Sequence, residues 1–259
     1  MPSINKLGPP PPALNHMEAV LNTVKPQIKY FNLNGKKRPA FRLGLTQINE
    51  GVTWLGMSAT ALGICPKELD YKLKSYIQSH AIKRLEERLN PISILFVNFY
   101  LMISLMEPQL ETLSDGRKAL IISVHDIKVG YLPFDIVDHH IIFRTFLFIT
   151  CNGTPESEAL KDGLALSRDD ISFLKLDQLN TFIESDILEN SQLISVINEI
   201  CPDLLNLKEF KKIFKNTKET KSSEQLVKYL CLDDQYENIF KEDNTENSVC
   251  EPMELCDCD

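Results

Sequence analysis

The chain has no apolar run long enough to span a bilayer. Its longest, residues 92–106, is interrupted by Ser93, Asn98 and Ser104 and bounded by Pro91 and Pro108, whereas a membrane helix needs roughly 20 apolar residues. A buried core helix is the expectation there. No apolar segment follows the basic start at Lys6 either; Pro9 to Pro12 stand in its place. No secretory signal is expected, and a cytoplasmic protein with no membrane partner is the expectation. The 7 cysteines form no framework: the number is odd, no C-x-x-C pair occurs, and Cys250, Cys256 and Cys258 crowd the C-terminus. Reduced thiols fit this pattern better than disulfides or a zinc clip. Also missing are a phosphate-cradling glycine-rich loop, H-E-x-x-H and G-x-S-x-G. Nucleotide-dependent, zinc-protease and hydrolase-elbow readings lose their usual motifs, and no cofactor is expected.

Net positive charge is lacking as well, since the formal charge is −8. That argues against indiscriminate nucleic-acid binding. The average hides an asymmetry, however. Residues 1–100 carry 13 Lys and Arg against 6 Asp and Glu, a net +7; residues 101–150 carry 4 against 6; residues 151–259 carry 11 against 24, a net −13. A basic first part can take an anionic ligand, and an acidic last part can mask it.

What is present reads as four segments. Residues 1–40 form a flexible arm with a helical candidate at 17–24 and an exposed basic turn, Gly35-Lys36-Lys37-Arg38-Pro39. From Pro66, Leu69, Leu73, Ile77, Ala81, Leu85 and Leu89 recur every four residues, which predicts one amphipathic helix over 66–89. A second helix is expected over 92–106. Strands follow at 118–124 and 127–132, with His125-Asp126 as a two-residue turn, and at 141–150, apolar on both faces and therefore central. The fold class expected for residues 41–153 is α+β: N-terminal helices on a three- to four-stranded antiparallel sheet. Helical periodicity resumes over 154–240 as a small all-helical appendage. Residues 241–259, with seven acidic residues against one lysine, read as a disordered tail.

The chemistry-bearing feature is a stripe on the first helix. His80, Arg84 and Arg88 stand at i, i+4 and i+8: one imidazole able to move a proton near neutral pH and two permanent cations suited to phosphate. Arg84 and Arg88 are a like-charge i,i+4 pair, mildly destabilising unless an anion lies across it. His139-His140 resembles a metal pair, but adjacent strand residues face opposite ways, and no metal is expected.

The run His80-Ala81-Ile82-Lys83-Arg84-Leu85-Glu86-Glu87-Arg88, with Ile142-Phe143-Arg144-Thr145-Phe146-Leu147 later, resembles a superfamily of small metal-independent ribonucleases and toxins. It groups barnase, EndoU, colicin nucleases and RelE (the BECR fold), and the likeness is nearest to its phage and mobile-element branches. It covers roughly residues 66–150. The resemblance implies RNA cleavage by attack of the 2′-hydroxyl on the adjacent phosphate. His80 would be base or acid, Arg84 would neutralise the phosphate, and Thr145 would donate a hydrogen bond to it. Arg88, Lys128 and Arg144 would bind substrate, with Lys128 or His125 as the missing acid. Arg144 and Thr145 alternate along a strand, so both reach one site only through a bulge. The alternative is a non-catalytic interaction protein whose residues 154–240 bind a protein inhibitor or partner.

Overall fold

A computed structural model describes residues 27–47, 51–214 and 222–229. The helical candidate at 17–24 and the acidic tail at 241–259 lie outside them. The first third is a run of strands: β1 (Ile28–Leu33), β2 (Lys36–Arg42), β3 (Gly44–Gln47), β4 (Gly51–Trp54), β5 (Gly56–Ser58) and β6 (Lys72–Ile77). Two helices come next, α1 (Ser79–Arg88) and α2 (Ile94–Met106). Five strands follow: β7 (Leu110–Thr112), β8 (Lys118–Val124), β9 (Ile127–Val137), β10 (His140–Phe143) and β11 (Leu147–Phe148). The rest is helical: α3 (Pro155–Leu164), α4 (Arg168–Phe173), α5 (Leu179–Glu184), α6 (Ser191–Ile200), a 3-10 segment (Pro202–Leu207), α7 (Lys208–Ile213) and α8 (Glu224–Tyr229).

The expected architecture of helices on a three- to four-stranded antiparallel sheet is overturned. Nine strands form one mixed sheet in the order β1-β2-β6-β10-β9-β8-β7, with β5 added to β6 and β11 to β9; β3 and β4 make a separate hairpin. Neighbours along the main path are antiparallel except β6 and β10, which run parallel with Lys74 opposite His140 and Ile77 opposite Phe143. The arm expected over residues 1–40 gives way, within the described residues, to the β1–β2 hairpin.

The long helix expected over 66–89 is overturned too, for a definite reason. A spacing of four residues is close to one helical turn and is also two full strand repeats. Residues 72–75 resolve the ambiguity by alternating, with Lys72 and Lys74 exposed and Leu73 and Ser75 buried, before Tyr76 and Ile77 are buried together. Leu69, outside the strand, is 68% exposed. Only the last turns of the expected helix are helical, with Ala81 and Leu85 as the buried side of α1. The strand expected at 141–150 is likewise two short strands with a break at residues 144–146.

Three tight hairpins share one turn geometry. Asn34-Gly35, His125-Asp126 and Asp138-His139 each join strands whose flanking residues pair directly, and all six have positive φ. This is the two-residue turn whose twist matches that of paired strands. Elsewhere, β11 lies so close to β9 that a Cβ at Gly130 would stand 2.1 Å from the Leu147 carbonyl oxygen.

One continuous buried cluster joins β6, β8, β9 and β10 to α1, α2 and the helices from α3 to α8. Smaller clusters sit apart from it, one around Phe31, Tyr76 and Ile142 and one around Leu113, Ala119 and Tyr131. Helix α2 buries Val97, Leu101 and Leu105 but leaves Phe96, Phe99, Ile103 and Met106 exposed. Among the described residues no helix is long and apolar enough to cross a membrane.

Candidate functional site

An open cleft of about 740 Å³ lies where the two halves of the sheet meet. The β1–β2 hairpin contributes Leu33, Asn34, Arg38 and Pro39. The start of α1 contributes Gln78, Ser79 and His80, and the segment leaving β10 contributes Arg144 and Thr145; Arg117 comes from the approach to β8. Three guanidiniums and one imidazole line it, and no carboxylate does.

Local structure explains each position. The Asn34-Gly35 turn folds β2 back on β1 and brings Arg38 over the sheet edge. Gln78 opens α1: its backbone amide donates to the Phe143 carbonyl at 2.9 Å, tying the helix start to the end of β10. Its side chain makes no cap, and no acidic residue occupies the first turn. The positive end of the helix is thus left uncompensated by protein groups, a setting that favours an anion. Arg144 and Thr145 share the cleft because the chain leaves the sheet after Phe143, so strand alternation lapses where it would have turned them apart.

Two of the cleft cations have partners at its margin. Arg144 pairs with Asp135 at 3.0 Å, and Arg117 with Asp115 at 2.6 Å. The hydrogen bonds from Arg117 hold the Asp115 carboxyl below its usual range. Arg38 makes no ion pair among the described residues, and His80 is exposed with no hydrogen-bond or ion-pair partner among them.

The structure therefore gathers His80, Thr145 and Arg144 and separates them from the other expected residues. Arg84 and Arg88 line a second pocket of about 340 Å³, together with Leu147, Cys151, Asn152, Arg168, Ile171, Ser172 and Asp177. Their expected mutual repulsion is answered inside the chain. Arg84 pairs with Glu87 at 3.0 Å, and Arg88 donates to the Phe146 carbonyl at 2.5 Å while facing Asp177 at 3.6 Å.

Lys128 belongs to neither pocket. It is clamped between Glu156 and Asp203, each at 2.5 Å, and Tyr131 donates to the same Glu156 at 2.8 Å. Burial alone would lower the lysine pKa; the Asp203 and Glu156 contacts outweigh it and raise the pKa instead. Its charge is thus answered by two carboxylates within the chain, away from the cleft-lining residues. His125 is likewise remote from the cleft, bonded to Tyr100 at 3.0 Å. His139 meets Tyr71 edge to face, and His140 meets Phe31 and Tyr76 in the same way. Among the described residues no three His, Cys, Asp or Glu side chains are grouped to hold a metal.

Sequence reasoning missed Arg117 as a cleft residue and treated Arg38 as part of a solvated basic turn. The Lys36-Lys37-Arg38 cluster was the available signal for the second; nothing local marks the first. Compared with protein-family models, with curated proteins and with solved structures, the chain has no match.

Proposed function

We propose that this cleft binds a phosphodiester of RNA and that the protein cleaves it by attack of the neighbouring 2′-hydroxyl, in the manner of the nucleases its helix signature resembles. The supporting observation is the convergence of Arg38, His80, Arg117 and Arg144 on one open cleft without a lining carboxylate. In this reaction the O2′–P bond forms and the P–O5′ bond breaks, leaving a 2′,3′-cyclic phosphate. His80 accepts the hydroxyl proton, since an unpartnered imidazole is the group best suited to do so near neutral pH. Arg38 and Arg144 stabilise the charge that builds on the phosphoryl oxygens. Thr145 and Ser79 offer hydroxyl donors, and the departing 5′-oxygen takes its proton from water. Arg84, Arg88 and Lys128 have no part in the step.

The test uses the full chain and a labelled RNA in buffer containing EDTA. Cleavage to cyclic-phosphate ends is expected, with the matching DNA left intact because it lacks the attacking group. His80→Ala is expected to lower the rate by about a hundredfold or more, with an unchanged circular dichroism spectrum because the side chain is exposed. RNA that stays intact with the wild-type chain, or equal rates for wild type and His80→Ala, would sink the catalytic reading. RNA binding without cleavage would keep the cleft as a binding site and strike its catalytic role.

A further inference from the structure

We propose that the second basic pocket, at the other end of α1, holds a further phosphate of the same RNA strand, so that the ligand is a single-stranded oligoribonucleotide of several residues laid along the helix. This rests on the reading of the first cleft as a phosphodiester site. Two routes connect the pockets. His80, Arg84 and Arg88 run down one side of α1, the first lining the first cleft and the other two the second pocket. Eight residues of helix cover about 12 Å, the reach of three to four stacked nucleotides at about 3.4 Å each. Beside the helix, Thr145 lines the first cleft and Leu147 the second pocket, and Arg88 grips the Phe146 carbonyl between them.

The second pocket has the chemistry of an anion site. Arg84, Arg88 and Arg168 line it against one carboxylate, Asp177, which Arg88 already faces at 3.6 Å. Among the described residues Arg168 makes no ion pair and the buried Nε of Arg88 has no hydrogen-bond partner. Asn152 and Ser172 add polar side chains. The residue after Ser172 is Phe173, which is 78% exposed at the end of α4. On the helix that supplies Arg168 and Ser172 to the pocket, this exposed aromatic ring is a surface on which an unpaired base stacks without regard to sequence. A duplex, with its bases already stacked and paired, has no such use for it.

The experiment measures binding of fluorescein-labelled oligouridylates of two and six nucleotides, with 2′-O-methyl groups to prevent cleavage, to the full chain over a range of salt concentrations. The hexamer is expected to bind about tenfold or more tightly than the dimer, with a steeper salt dependence because it engages further cations. Arg168→Glu puts a carboxylate in the first turn of α4, where a helix tolerates it. It is expected to weaken hexamer binding about tenfold and flatten its salt slope by about one, leaving the dimer unaffected. Phe173→Ala is expected to weaken the hexamer about fivefold at unchanged slope. Equal affinity for dimer and hexamer, or an equal loss for both in Arg168→Glu, overturns the second subsite while leaving the first cleft standing. Failure of both oligomers to bind, or indifference of both to Arg38→Ala, overturns the two readings together.

Discussion

Ser75 has no exposed surface, and its hydroxyl has no hydrogen-bond partner among the described residues. Thr150 and Thr154, equally buried, show the usual solution: their hydroxyls donate to the carbonyls of Leu176 and Ile149, both at 2.6 Å. Leaving a buried hydroxyl unpaired costs about 1–3 kcal/mol. Ser75→Ala is therefore expected to stabilise the protein by about 1 kcal/mol in a denaturant titration, and a loss of stability would show that the hydroxyl is bonded. Lys128 is the opposite case. Its two carboxylates and the Tyr131 hydroxyl satisfy one another where β9 meets α3 and the 3-10 segment, which is why a lysine that sequence reasoning assigned to substrate sits in the framework instead.

Among the elements, the turns offer the sharpest test. His125 and Asp126 hold φ of 51° and 62°, angles that favour glycine, at a tip with no glycine. Asp126→Gly is expected to raise stability by roughly 0.5–1 kcal/mol, seen as a shift in denaturation midpoint at constant slope. The same turn shows what sequence could reveal: the apolar run of β8 and the alternating Ile127-Lys128-Val129 start of β9 bracket two polar residues, so local pattern was enough. Helices α3 to α8 were legible as the helical periodicity that resumes at residue 154, and Thr154 caps the first of them. Strand β6 was not, because its four-residue spacing fits two periods and α1 begins directly beyond it. The candidate site divides along that line. His80 and Thr145 could be paired from motifs, whereas Arg117 and Arg38 depend on which strands become neighbours, and that is settled by long-range pairing no local window contains.

At the scale of the molecule, several buried titrating groups pull stability the same way. Burial pushes the Cys151 thiol up to about 11, against the pull of Arg88, and the Cys201 thiol up to about 11 as well. A thiol whose folded pKa is raised keeps its proton longer in the native state. Its contribution is complete below the unfolded value of about 8.5 and is lost as pH rises toward about 11. The raised pKa values of Lys128 and Tyr131 extend the same trend to still higher pH. Tm is thus expected to fall from about pH 8.5 upward, and replacing both thiols by alanine should flatten the first part of that fall; a Tm unchanged to pH 10.5 would contradict it. The parallel pairing of β6 with β10 has a consequence in time as well as in space. Lys74 and His140 meet across an intervening chain that includes both α1 and α2, and closing so long a loop comes late and slowly. Arg38 and His80 stand on one side of that seam, Arg144 and Thr145 on the other. A nascent or half-folded chain thus has no assembled cleft, and during refolding the joining of its two sides should lag behind the return of helical signal.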